Sequence, residues 1–283
     1  MTANYLLNPP VAIGGVGGSG TRVIASIMQK LGFYMGSDLN EAHDNLAFTL
    51  LFKRAELWPL EHNMAEIGRL TDIYLNDVRG QQPWSEDDIS LIRSLSREER
   101  PGHPREWLAE RAEKLISNKT EGRNRTLWGW KEPNTHILLP ALLKAVPNIK
   151  YIHVMRHGLD MAFSSNQNQL ILWGRQLLGE TKLDITPGNS FRYWCAAHRR
   201  ILTIGKNMGG NFLLLNFDQL CKEPDADITK LLQFLRVDTA DINFSGIKEF
   251  INAPSSTGRH KKNQMDAPSS KDLDFLYRLG YSR

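Results

Sequence analysis

Gly14-Gly-Val-Gly-Gly-Ser-Gly-Thr-Arg22 follows the short apolar run Val11–Ile13 and leads straight into a segment with apolar residues at Val23, Ile24, Ile27, Met28 and Leu31. That spacing marks one face of a helix, so the glycine-rich turn joins a strand to a helix N-terminus. Unbonded N–H groups of the first helical turn, the helix dipole and glycines that admit a close ligand together make a site for a phosphate-sized anion. A Walker A loop, G-x-x-x-x-G-K-[ST], uses its lysine on the β/γ phosphates and its hydroxyl on magnesium. Counted from Gly15, Gly20 fits that pattern, but Thr21 and Arg22 stand where the lysine and the hydroxyl belong. The turn therefore favours a nucleotide-like ligand over a triphosphate kinase, with a turn that binds nothing as the plain alternative.

Working outward, Gly32 to Gly36 reads as a short second strand, and residues from about Asn45 to Ser117 read as polar helices. Within them, Ser85 and Asp88 have the shape of a capping box ahead of Ile89, Ile92 and Leu95. Thr126–Trp130, Ile149–Met155 and Phe212–Asn216 read as further strands. Between them the spacing predicts helices from about Pro140, along Phe191–Leu202, and over Ile228–Leu235. Strands alternating with helices imply an α/β fold with a central parallel β-sheet flanked by helices, and ligands outside the carboxyl ends of the strands. The chain, residues 1–283, is expected to be one domain with a helical insertion over 45–125 that shapes an acceptor cleft.

A second anion site is written directly after the buried strand in RHGLDMAFSS, Arg156 to Ser165. An arginine at a strand tip and a hydroxyl on the following helix can converge on one phosphate, each charged hydrogen bond contributing about 1.5–3 kcal/mol. The plain alternative pairs Arg156 with Asp160 and turns the serine onto its own helix backbone.

The glycine-rich S-G-T loop after strand one, combined with Arg-x7-Ser after a central strand, resembles the sulfotransferases that use 3′-phosphoadenosine 5′-phosphosulfate (PAPS). WKEPN (Trp130–Asn134) resembles the K-[DE]-P turn of tyrosylprotein and several bacterial members. Asn216–Leu235 resembles a late segment of the family, and STGRHKK (Ser256–Lys262) is similar to a C-terminal loop in which Gly-Arg closes over the 3′-phosphate. The resemblance implies a P-loop-like sulfotransferase fold. It implies that the 5′-phosphosulfate is held by Gly17, Gly18, Ser19, Gly20, Thr21 and Arg22, and the 3′-phosphate by Arg156, Ser164, Gly258 and Arg259. Many members carry Lys or Arg just before the Ser-Gly-Thr, where this chain has Gly18, so Arg22 or Lys131 is the expected replacement cation.

The implied reaction moves a sulfuryl group from PAPS to a hydroxyl or amine of a small-molecule, glycan, lipid or peptide acceptor. It leaves adenosine 3′,5′-bisphosphate and needs no metal. A base must reach the acceptor proton. In tyrosylprotein-type members a glutamate about 20 residues beyond the loop does this, which points to Glu41 within SDLNEAHDN, Ser37–Asn45. His43 is the second candidate, its ordinary pKa suiting the task. Asp38 and Asp44 rank behind as helix-capping candidates, and His136 is a lesser one.

Composition sets the surroundings. The net charge of +4 suits a locally positive cleft, and the basic residues are spread without an aromatic-basic RNA-binding motif, so nucleic acid is not an expected partner. Cys195 and Cys221 lack zinc or CxxC spacing, which fits a reducing compartment. No apolar run approaches the roughly 20 residues needed to span a bilayer, and the expected setting is cytoplasmic. Two other readings stay open: a P-loop kinase with a degenerate loop, and a non-catalytic nucleotide-binding protein of the same fold. The kinase needs an acidic magnesium ligand after an apolar strand, where this chain places Lys131 and Arg156.

Overall fold

The computed structural model describes residues 9–79, 84–118, 126–237 and 242–282. Four strands, β1 (Val11–Gly15), β2 (Gly129–Lys131), β3 (Lys150–Met155) and β4 (Phe212–Asn216), form the central parallel sheet in the order β2-β1-β3-β4. Every residue of β1, β2 and β3 is buried, Lys131, Lys150 and His153 included, as expected of strands covered on both faces. The chain divides into two compact units, one of Met1–Ile13 with Met28–Lys150 and one of Gly14–Ile27 with Tyr151–Arg283. Helix α1 (Thr21–Lys30) opens in the second unit.

The first unit holds α2 (Leu46–Phe52), α3 (Met64–Arg79), α4 (Glu86–Leu95), α5 (Arg105–Ser117) and α6 (Thr135–Ala145). Its core is aromatic: the Tyr74 ring meets Phe48, Phe52 and Trp130 edge-on at centroid distances of 5.5, 5.6 and 5.2 Å. The Ser85–Asp88 capping box is present and starts α4. Helix α6 begins before Pro140 rather than at it, and its apolar residues on both sides of the proline are buried, so packing outweighs the missing donor.

Gly32–Gly36, expected to be a strand, contributes a single bridge, Tyr34 to Trp128. Glycines at φ 85° and 107° close the segment at both ends, and Tyr34 makes the bridge by exchanging hydrogen bonds with the Leu127 carbonyl and the Gly129 amide.

The second unit contains α7 (Gly158–Ala162), α8 (Asn168–Leu178), α9 (Pro187–Met208), α10 (Phe217–Lys222), α11 (Pro224–Leu235), α12 (Phe244–Lys248) and α13 (Ser270–Arg278). Trp194 on α9 fixes the tip of β3. Its indole N–H donates to the Arg156 carbonyl at 3.1 Å, and its ring lies where a Cβ on Gly158 would stand, 2.7 Å away. Among the described residues no helix is long and apolar enough to cross a membrane.

Candidate functional site

The turn between β1 and α1 is built by backbone that only glycine provides. Gly18 and Gly20 lie at φ 88° and 97°. Ser19 donates its backbone N–H to the Val16 carbonyl, and Val23 to that of Gly20. The turn is then wedged in place. A Cβ on Gly20 would fall 2.4 Å from the Phe217 ring, one on Gly15 2.5 Å from the Val154 carbonyl, and the Gln169 side-chain amide holds the Gly15 carbonyl at 3.0 Å. Ser19 is 1% exposed, and its hydroxyl has no hydrogen-bond partner among the described residues. A buried orphan hydroxyl in a glycine cradle is the arrangement an incoming anion completes. Thr21 is buried at the start of α1, and Arg22 beside it is exposed.

Gly20→Ala is expected to destabilise the protein by about 2 kcal/mol, through a positive φ and a clash with a packed ring. Gly17→Ala is the control, because the atom nearest its added carbon is the Asn166 side-chain amide nitrogen, at an ordinary 3.4 Å. Urea unfolding of both variants checks this, and equal midpoints would show that the wedge is absent.

Arg156, Ser164, Gly258 and Arg259 are assembled within this same second unit. A Cβ on Gly18 would lie 3.8 Å from the Ser164 hydroxyl, which sets that serine beside the glycine turn; the hydroxyl accepts from the Asn166 N–H at 3.2 Å. Arg156 is 3% exposed. Its guanidinium donates to the Ser256 hydroxyl at 3.0 Å and to that of Thr257 at 3.4 Å, while its Nε, 3.9 Å from Asp218, makes no hydrogen bond among the described residues. The plain alternative of an Arg156–Asp160 pair is not what forms. Arg259 donates to the Phe163 carbonyl at 3.3 Å, and its Nε too is a buried donor without a partner among the described residues. Burial and the neighbouring Arg156 charge hold the Arg259 pKa below its ordinary value. Two guanidiniums with orphan donors, a hydroxyl and a glycine turn are fitted to a phosphorylated ligand.

Glu41, His43 and Lys131 belong to the first unit. Residues 40–44 form a closed turn in which the Asn40 side-chain oxygen accepts from the backbone of Ala42 and Asp44, both at 2.9 Å. Closing it puts His43 at φ 62°, the left-handed region that most side chains avoid. Glu41 is exposed on this turn, and its carboxylate makes no hydrogen bond among the described residues. Lys131, 2% exposed, is not a free strand-end cation: its ammonium is bound to the Asp44 carboxylate and donates to the Ala42 carbonyl at 2.8 Å. Glu132 of the same KEP turn is buried and accepts from the backbone and side-chain amides of Asn134. Burial raises its pKa, helped by the nearby Asp44 and opposed by Lys53. His136 is fully buried.

A family model described as the sulfotransferase family matches residues 9–241. The chain belongs to that family. Two solved structures share the fold of this sulfotransferase-family chain. One is the sulfotransferase domain of the olefin synthase of Synechococcus PCC 7002, at 15% identity over 98% of this chain and 96% of that one, with a TM-score of 0.54. The other is the sulfotransferase domain from the curacin biosynthetic pathway, at 14% identity over 98% and 99% of the two chains, with a TM-score of 0.50. No curated protein matches. The family match takes in the glycine turn, Lys131, Arg156 and Ser164, while Ser256–Arg259 lie beyond it.

Two features of this chain are not announced by its local sequence. Asp160, Ser256 and Thr257 surround Arg156 and Arg259 through contacts 96 to 101 residues apart in the chain, which no local pattern announces. In the first unit, a cavity of about 310 Å³ is lined by Ser37, Asp38, Asp77, Arg111, Lys114 and Asn118, among others. Arg111 donates to Asp38 at 2.8 Å and the Asn118 amide donates to Asp77 at 2.6 Å, whereas Asp77 itself makes no ion pair among the described residues.

Burial pushes the Asp77 carboxyl up to about 6; the Asp38 charge adds to this, and the Asn118 hydrogen bond opposes it. A folded-state pKa above the unfolded one means that the folded protein takes up the proton first, so the ionised carboxylate costs stability above about pH 6 and that cost fades towards pH 4. Asp77→Asn is therefore expected to stabilise the protein at pH 7.5 by about 3 kcal/mol, following the size of the shift. Urea unfolding at pH 7.5 and pH 4.5 tests it, since a gain that persists unchanged at the lower pH contradicts the origin assigned to it.

Proposed function

We propose that this protein transfers a sulfuryl group from PAPS to a hydroxyl or amine of a small-molecule or glycan acceptor, releasing adenosine 3′,5′-bisphosphate. The observation that carries the reading is the gathering, inside one compact unit, of the glycine turn with its orphan Ser19 hydroxyl and of Arg156, Ser164 and Arg259 with their unused donors. The loop amides, Ser19 and Thr21 would hold the phosphosulfate end, with Gly17, Gly18 and Gly20 admitting it closely. Arg156, Ser164, Gly258 and Arg259 would hold the 3′-phosphate.

PAPS, when bound, supplies an electrophilic sulfuryl group joined to a phosphate leaving group. The remaining work falls to side chains. Glu41 is assigned as the base that takes the acceptor proton as the new S–O or S–N bond forms, with His43 as its alternative. Arg22 or Lys131 is assigned to the negative charge that grows on the leaving phosphate as the old S–O bond breaks. Support for a hydroxylated acceptor comes from the first-unit cavity, whose alternating donors and acceptors suit hydroxyl groups better than an apolar surface. A reducing, cytoplasmic setting belongs to the same reading, in keeping with the free thiols of Cys195 and Cys221.

Incubation with sulfur-35-labelled PAPS and a panel of hydroxyl and amine acceptors tests the proposal. Label is expected to move to an acceptor while adenosine 3′,5′-bisphosphate accumulates. Tight PAPS binding with no transfer to any acceptor would instead favour a non-catalytic nucleotide-binding protein.

A further inference from the structure

Arg156 reaches its hydroxyl partners only because the turn that carries them is fastened elsewhere. A buried carboxylate provides much of that fastening. Asp160, on α7, has a side chain 1% exposed. It accepts from the Gly258 N–H at 2.7 Å, the His260 N–H at 3.1 Å and the His260 ring Nδ1 at 2.6 Å. Burial works against its ionisation, yet the hydrogen bonds from His260 and Gly258 outweigh it and hold the carboxyl below its ordinary pKa. The anchored turn carries Gly258 in the left-handed region at φ 75°, and the short 3-10 segment Arg259–Lys262 follows at once. His260 is held a second time, stacked on His157 at a centroid distance of 4.5 Å and an interplanar angle of 15°. His157 is in turn fixed by its backbone N–H to Asp218 at 2.8 Å.

This frame has an electrostatic consequence. Arg156 is close enough to Arg259 for its charge to lower the Arg259 pKa. Asp160 does not pair with Arg156, and among the described residues the carboxylate nearest that guanidinium, Asp218, stays at 3.9 Å. A dianion arriving here relieves the repulsion and finds donors already in place. The Ser256 and Thr257 hydroxyls accept from Arg156, which leaves their own protons free for a phosphate oxygen.

We propose that Asp160 is a positioning residue that fixes the Ser256–His260 turn against Arg156, so that the Ser256 and Thr257 hydroxyls join Arg156 on the 3′-phosphate and the protein selects nucleotides that carry one. The inference rests on the assignment of PAPS as donor. It adds three residues to the site, two of them beyond the stretch matched by the family model.

Calorimetric titration of the full chain with adenosine 3′,5′-bisphosphate and with adenosine 5′-monophosphate gives the affinity ratio that measures 3′-phosphate recognition. Asp160→Asn keeps the side chain's shape but points an amide at donors that need an acceptor. It is expected to lower the ratio at least about tenfold, the loss of one charged contact, while 5′-monophosphate affinity stays within about twofold. Ser256→Ala combined with Thr257→Val removes the hydroxyls without touching the buried carboxylate, and is expected to lower the ratio by about threefold or more. That double variant keeps the test alive should Asp160→Asn fail to fold. A ratio unchanged in either folded variant overturns the inference, as does an equal loss for both nucleotides. A wild-type protein with no preference for the bisphosphate overturns the donor assignment as well, so the two failures are told apart.

Discussion

Replacing Glu41 by Gln is expected to slow sulfuryl transfer by about 10²–10⁴-fold, the usual contribution of a positioned general base, while nucleotide affinity stays within about twofold. Glutamine matches glutamate in shape and removes only the ability to take a proton. The structure makes this a clean substitution. Glu41 is exposed, its carboxylate makes no hydrogen bond among the described residues, and the turn that carries it is closed by Asn40. The variant should therefore unfold at the wild-type urea concentration. Its rate against PAPS and a competent acceptor is the measurement that matters. A fully active Glu41→Gln protein moves the base to His43, which the same turn holds at φ 62°. His43→Gln would then be the inactive variant.

Arg156→Ala is expected to weaken adenosine 3′,5′-bisphosphate binding by one to two orders of magnitude, the equivalent of losing about 1.5–3 kcal/mol of charged hydrogen bonding. The guanidinium is 3% exposed and already desolvated, so its contacts with a phosphate are not weakened by competing water. Two effects of opposite sign accompany its removal. The Ser256 and Thr257 hydroxyls lose a donor, while Arg259 loses a like-charged neighbour that lowers its pKa. Arg259 then remains to hold part of the ligand, and for this reason binding is reduced rather than abolished. Calorimetry on the folded variant checks the prediction, and unchanged affinity would remove Arg156 from the site.

What could be read from the chain alone follows the range of the forces involved. The glycine turn was legible because its determinants are local: positive φ at Gly18 and Gly20, and a helix that starts at Thr21. Arg156 was legible as a strand-tip residue because β3 is an uninterrupted buried run. Gly32–Gly36 misled, since apolar Phe33 and Met35 satisfied a strand pattern that two left-handed glycines cancel. Lys131 read as a free cation because its partner, Asp44, lies 87 residues away. Asp160 read as a local partner for Arg156, but the same carboxylate serves the Gly258–His260 backbone about a hundred residues further on. Pairings of that range are set by the folded chain and leave no periodic signature.

The central claim is that one compact unit binds an adenine nucleotide through a phosphate at each end. Titration of the wild-type protein with adenosine 3′,5′-bisphosphate, adenosine 5′-monophosphate and ATP with magnesium tests it most directly. Binding of the bisphosphate at least about tenfold tighter than either of the others is the predicted result. Tighter binding of ATP with magnesium, or no gain from the 3′-phosphate, would contradict it.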